Sequence, residues 1–159
     1  MRVRRTTDVE DEDWIHLRGE FIPELDKQGQ VDFLRAFAST LPLFEGFIAL
    51  DERERAVGFA EASVRTEPVN GCRPGRVAFL EGIYVQPGSR QLGYAKTLCL
   101  EVERWAANQD CREFASDVLD DDANSLAAHK ALGFTETERS VFFHKPVRAE
   151  FSSQHSGSK

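Results

Sequence analysis

The residues richest in chemical possibility run Phe79-Leu80-Glu81-Gly82-Ile83-Tyr84-Val85-Gln86-Pro87 and continue, past Gly88-Ser89, into Arg90-Gln91-Leu92-Gly93-Tyr94-Ala95-Lys96. The first part is apolar and rich in β-formers, Pro87-Gly88 breaks it, and Gly93 and Ala95 leave the backbone uncovered where a helix should begin. A strand, a turn and a helix start in that order make an anion cradle. The first N–H groups of a helix have no intrahelical partner and the dipole is positive there, so a phosphate or pyrophosphate is the ligand class that fits. The same unit also occurs in α/β proteins that bind no phosphate. Two competing phosphate motifs, Gly-x-Gly-x-x-Gly and Gly-x-x-x-x-Gly-Lys-Ser/Thr, do not occur in the chain.

The elements that must position this cradle follow from periodicity. Val3 and its neighbours suggest a first strand. Asp8 is a plausible N-cap for a helix whose face carries Trp14, Leu17 and Phe21, and Val31, Leu34, Ala38 and Leu41 mark a second helix before Pro42. Phe47 to Leu50 and Ala56 to Arg65 read as strands joined by a charged turn, and residues 66–76 as a loop rich in Pro, Gly and Asn. After the central strand, Ala95, Leu98, Val102 and Trp105 give one apolar face to a helix ending near Asn108. Glu113 to Val118 reads as a strand, residues near 122–131 as a helix, and Phe134 to Lys145 as a long final strand. Trp14 and Trp105 are expected in the core.

Length and composition set the class. At 159 residues with 41% apolar content the chain suits one α/β domain, expected over 1–146, with 147–159 a polar tail expected to be disordered. No apolar run approaches the roughly 20 residues of a membrane span, and the charged N-terminus lacks the apolar core of a signal peptide, so a soluble, cytoplasmic protein is expected. Cys72, Cys99 and Cys111 are widely spaced and suit neither a disulfide framework nor a metal site, so no metal is expected. The net charge of −7, from 27 acidic against 20 basic residues, argues against nucleic acid as a partner and favours a cationic substrate.

The pattern Arg90-x-x-Gly93-x-Ala95 resembles the acyl-CoA pyrophosphate loop of the GCN5-related N-acetyltransferases. A second block, Asp122 to Phe134 ending Ala128-His129-Lys130-Ala131-Leu132-Gly133-Phe134, looks like the late helix and following strand of the same superfamily. The chain is similar in more detail to one subgroup, the aminoglycoside 6'-N-acetyltransferases. The matching pieces are Gly58-Phe59-Ala60-Glu61-Ala62-Ser63-Val64-Arg65, Val69-Asn70-Gly71-Cys72, Phe79-Leu80-Glu81-Gly82-Ile83, Cys111-Arg112-Glu113-Phe114-Ala115-Ser116-Asp117 and Gly133-Phe134-Thr135-Glu136-Thr137-Glu138-Arg139.

The resemblance implies a mixed α/β fold with a mostly antiparallel, twisted sheet, a splayed central strand pair and about four flanking helices. It implies acetyl transfer from acetyl-CoA to the 6'-amine of an aminoglycoside. That chemistry needs a neutral amine, which at pH 7 is largely protonated. Glu81 is then the candidate base or water relay, Asp117 a substrate-binding carboxylate that shares in proton removal, and Glu136 a third carboxylate. His129 stands where many superfamily members place a Tyr to protonate the leaving thiolate. Main-chain groups of Ile83, Tyr84 and Val85 would face the thioester carbonyl. Those of Gln91, Leu92, Gly93, Tyr94, Ala95 and Lys96 would hold the phosphates, with charge from Arg90. Asp122, where an Asn is frequent, and Ser125 would meet the pantetheine arm. Where the subgroup can carry aromatics against the sugar rings, this chain has Ile22 and Pro68. Dimerisation is common in the family, so a homodimer is compatible. Two alternatives remain open: another polyamine, amino sugar or peptide N-terminus as acceptor, and a non-catalytic acyl-CoA-binding module.

Overall fold

A computed structural model describes residues 1–147. Its elements in chain order are β1 (Arg2–Thr6), α1 (Glu12–Phe21), α2 (Lys27–Thr40), β2 (Glu45–Leu50), β3 (Ala56–Arg65), β4 (Val77–Val85), a 3-10 turn (Pro87–Ser89), α3 (Tyr94–Asn108), β5 (Glu113–Ser116) and α4 (Ala123–Ala131). The five strands form one sheet in sequential order, antiparallel throughout except for the parallel pair β4–β5. This is the mixed, mostly antiparallel sheet with four helices expected from the sequence.

Strand alternation sends side chains to both faces, and each face is covered. Phe47 and Ala49 point to a core closed by Leu98, Val102 and Trp105 of α3, while Ile48 and Leu50 point to a second core closed by Trp14, Leu17, Val31 and Leu34 of α1 and α2. Both tryptophans are buried, as expected.

Two elements differ from their sequence reading. Asp8 does not cap α1. Its side chain accepts from Glu10 N instead, and Asp11, three residues on, accepts from Trp14 N at 3.2 Å as the true N-cap. Asp11 also binds Arg4 of β1, so the second acidic residue ties the helix to the sheet while the first only turns the chain. The second correction concerns Phe134 to Lys145, which forms no strand. Its polar contacts are local, Arg139 to Glu136 at 2.6 Å and Ser140 to Glu138 at 3.2 Å. β-Propensity reports that a segment can sit on a pleated surface, and a strand forms only where an edge pairs with it. Residues 148–159, nearly all of the expected tail, lie outside the described residues.

One buried polar network fixes α1 against the sheet. Glu61 of β3 accepts from Trp14 Nε1 at 2.7 Å and pairs with Arg18, and Arg18 Nε donates to Gln30 of α2 at 3.0 Å. Burial pushes the Glu61 carboxyl up, and Arg18 and Trp14 pull it back. Arg18 is itself buried, lies over the Phe33 ring, and has one terminal nitrogen with no partner among the described residues. Removing the carboxylate strands that cation. We expect Glu61→Ala to cost about 3–5 kcal/mol in urea denaturation, and Glu61→Leu combined with Arg18→Met to recover most of the loss, because a buried pair replaced by apolar groups is near neutral.

Candidate active site

The site begins where β4 leaves β5. The two strands pair from Val77↔Glu113 to Leu80↔Ser116, and no further, while β4 runs on to Val85. Glu81 to Val85 therefore face the gap with one backbone edge unpaired to β5. On the other edge the β3–β4 register passes from Leu80↔Ala62 to Gly82↔Glu61, so Glu81 is an extra, bulged residue. The bulge changes which positions face which core. Ala78 and Leu80 before it, and Ile83 and Val85 after it, pack toward α3, while Glu81 is delivered to the opposite face beside Ser63 and Arg65.

Glu81 is held by three donors there. Ser63 Oγ donates to Oε1 at 2.5 Å, and Arg65 donates to Oε1 at 3.2 Å and to Oε2 at 2.8 Å. Its side chain is only 5% exposed, and the Arg65 guanidinium lies 3.4 Å over the Phe79 ring. A carboxylate offers about four acceptor positions, so one position on Oε2 is left.

A cleft of about 1120 Å³ opens from this point. It brings together Glu81, Ile83, Asp117, Ser125, His129, Glu136 and Pro68 of the residues expected from sequence. Seven carboxylates and three Arg or Lys side chains line it, a balance that attracts cations. Asp117 is exposed, one residue beyond β5. Glu136 is paired to Arg139, which holds its carboxyl below the usual range. Loop 66–76 forms one wall. Gly71 has φ +76°, and a Cβ there would lie 2.1 Å from Thr137 Oγ1, so only glycine lets this loop meet the terminal segment.

Ile22 does not line the cleft; its neighbour Phe21 does, packing edge-on against Phe59 and tilted against Tyr84 at 5.8 and 5.7 Å between centroids. Tyr84 donates to Glu20 at 3.0 Å, closing the α1 end of the wall. Asp122 also lies off the cleft lining. It caps α4 by accepting from Ser125 N at 2.9 Å, which holds its carboxyl low. At its far end α4 closes with a Schellman turn. Gly133 at φ +97° donates to the Lys130 carbonyl at 3.1 Å and Phe134 to that of His129 at 3.0 Å, which explains why Leu132-Gly133-Phe134 follows the helix.

The cradle sits at the other end of the gap. Gly93 is the N-cap of α3 at φ +88°, and a Cβ there would meet nothing closer than Met1 Cε at 4.0 Å. Among the described residues none of the backbone N–H groups from Gln91 to Lys96 finds an acceptor. Gln91, at φ +62°, adopts the left-handed region without being glycine, so this loop is held in a strained shape. Arg90 donates through Nε to the Val85 carbonyl at 2.9 Å, which leaves its terminal nitrogens for a ligand. Six free N–H groups and an anchored guanidinium fit the pyrophosphate of a coenzyme A. Among the described residues no cluster of His, Cys, Asp and Glu could hold a metal ion, and no helix is long and apolar enough to cross a membrane.

The sequence profile of the acetyltransferase (GNAT) family matches residues 9–134. This chain belongs to the GNAT family. A 90-residue stretch, 57% of the chain, is 52% identical to the aminoglycoside N(6')-acetyltransferase type 1 of Salmonella typhimurium and spans 62% of that protein's length. The protein of the same name from Acinetobacter genomosp. 13 is 43% identical over 135 residues, 85% of this chain and 91% of the relative. Among solved structures, AAC(6')-Iy in complex with the bisubstrate analogue CoA-S-monomethyl-acetylneamine superposes with a TM-score of 0.81 at 38% identity, over 92% of this chain and 98% of that one.

Sequence reasoning missed Ser63, Arg65 and Ser116 as site residues of this GNAT chain. The signal was present. Glu61, Ser63 and Arg65 are polar at every second position of an otherwise apolar strand, which places them on one face, and a polar row on a covered face needs a partner such as Glu81.

Proposed function

We propose that this chain moves the acetyl group of acetyl-CoA onto the 6'-amine of an aminoglycoside, with both substrates bound together. The observation that carries the reading is the meeting of two dissimilar sites at one strand gap: a row of free N–H groups suited to an anionic cofactor, and an acidic cleft suited to a polycation. Likeness to 6'-acetyltransferases over most of the chain supports the acceptor class.

The N–H groups of Gln91 to Lys96 and the Arg90 guanidinium hold the phosphates, and the open edge of Ile83 to Val85 and Ser125 hold the arm. Acetyl-CoA, when bound, supplies an acyl carbon activated as a thioester. Main-chain N–H groups of the open edge are the donors available to charge developing on its oxygen. The remaining position on Glu81 Oε2 accepts from the amine. Asp117, Glu136 and the other cleft carboxylates hold the rest of the cation, with Phe21 and Pro68 as apolar walls. His129 exchanges a proton at the leaving sulfur. An acyl-cysteine intermediate has no support, since burial raises all three thiols, Cys99 to about 12, and the thiolate is the nucleophile. The three free cysteines suit a cytoplasmic setting.

The test is acetyl-CoA-dependent thiol release with a kanamycin-type aminoglycoside bearing a 6'-amine and with a close analogue bearing a 6'-hydroxyl. Release with the amine alone is expected, and Glu81→Gln should lower kcat/KM for the amine about a hundred-fold or more while the KM for acetyl-CoA stays put. Cofactor binding without release from either acceptor rejects the assignment.

The same reading includes a homodimer. Val141, Phe142 and Phe143 are 79, 94 and 94% exposed in a segment that pairs with no strand, and β5 pairs only on its β4 side. A second copy supplies the same segment and the same edge by symmetry. Sedimentation should give a dimer that Phe142→Asp with Phe143→Asp turns into monomer; a monomeric wild type contradicts it.

A further inference from the structure

The imidazole of His129 is fixed by contacts from three directions. Nδ1 lies 2.8 Å from the Ser125 carbonyl oxygen one turn earlier on α4. A carbonyl only accepts, so Nδ1 carries a hydrogen, and Nε2 is the nitrogen free to gain or lose one. The ring packs on Phe134 at 5.3 Å between centroids, a contact the Schellman turn enforces. Nε2 is 3.0 Å from Ser116 Oγ.

Ser116 has a second neighbour, for its Oγ is also 3.2 Å from the Leu80 carbonyl oxygen. One hydroxyl has one hydrogen and cannot donate to both. With His129 neutral, the hydroxyl donates to Nε2. With His129 doubly protonated, Nε2–H donates to Oγ and the hydroxyl turns to the Leu80 carbonyl. Both ring nitrogens are bonded in either state, and the ring need not move. Leu80 and Ser116 form the last rung before β4 and β5 part, so this rotor stands at the mouth of the gap.

We propose that Ser116 is a positioning residue for His129. The Ser125 carbonyl fixes the Nδ1–H tautomer, and the Ser116 hydroxyl, donating to Nε2 or accepting from it, lets that nitrogen take up or release a proton without reorienting the ring. The purpose rests on the acetyl-transfer reading. The acceptor nitrogen loses a proton as its bond to the acyl carbon forms, and the sulfur gains one as the carbon–sulfur bond breaks. His129 can supply the second from Nε2 and regain it from the first, so its proton count is unchanged over a turnover.

The test separates this inference from the function it serves. In substrate-free protein labelled with 15N in its four histidines, long-range proton–nitrogen spectra report each tautomer, and His129→Gln assigns the signals of His129. The Nδ1–H form is expected throughout, with the Nε2 resonance of the neutral ring moving toward that of an unbonded imidazole nitrogen in Ser116→Ala and returning to its wild-type position in Ser116→Thr. In turnover with a 6'-amine acceptor, Ser116→Ala should lower kcat about ten-fold or more, Ser116→Thr should restore it, and Ser116→Ala added to His129→Gln should cost nothing further. An Nε2 resonance unchanged in Ser116→Ala overturns the proposal, as do fully additive losses in the double variant. An Nε2 shift in Ser116→Ala of a protein that acetylates no aminoglycoside upholds the Ser116 assignment and rejects only the acceptor.

Discussion

Everything functional in this fold depends on β4 leaving its parallel partner after four rungs. A parallel pair satisfies its backbone groups only while it runs together, so ending it at Leu80↔Ser116 leaves the second half of β4 with unused polar groups along one edge. That edge would be a liability if it were closed over with apolar side chains. Here it opens into a polar cleft, and the strand then delivers the chain, through Pro87-Gly88-Ser89, to the start of α3. The open edge and the free helix N-terminus are consecutive in sequence, the arrangement that one elongated ligand would need.

The bulge at Glu81 supplies the second half of the arrangement. Without the extra residue the strand would keep one alternation throughout, and Ile83 and Val85 would point away from the α3 core. With it, the apolar residues stay buried and the carboxylate sits in a row of charged side chains on the other face. Two arginine–carboxylate pairs lie side by side there, Arg18–Glu61 closed inside the protein and Arg65–Glu81 at the edge of the cleft. The inner pair fixes where α1 rests. The outer pair fixes where the cleft carboxylate points.

Much of this was legible in the sequence. The cradle, the central strand, the α3 face and the late helix carry strong local signals: Gly93 at a left-handed cap, apolar residues at helical spacing, Leu-Gly-Phe at a helix end. The bulge was not legible, because a register shift is a property of two strands and β4 alone reads as regular. Arg65 on Glu81 was hidden for the same reason, since the residues are 16 apart and meet only through pairing. The final strand was over-read: Phe134, Thr135, Thr137, Val141, Phe142 and Phe143 are β-formers that advertise pairing, and nothing in one chain's sequence says which edge receives it. Asp8 and Asp11 could not be separated by type, as both are good caps, and Arg4 on the neighbouring strand decides between them.

The central claim is that the open edge of β4 and the start of α3 form a single cofactor surface joined to the acidic cleft at Glu81. Backbone hydrogen exchange, read by residue with and without coenzyme A, tests it most directly. Slowed exchange at both 82–85 and 91–96 is the predicted result, with a kanamycin-type amine then adding protection only around Glu81 and Asp117. Protection confined to 91–96, with 82–85 exchanging as in the free protein, would contradict it.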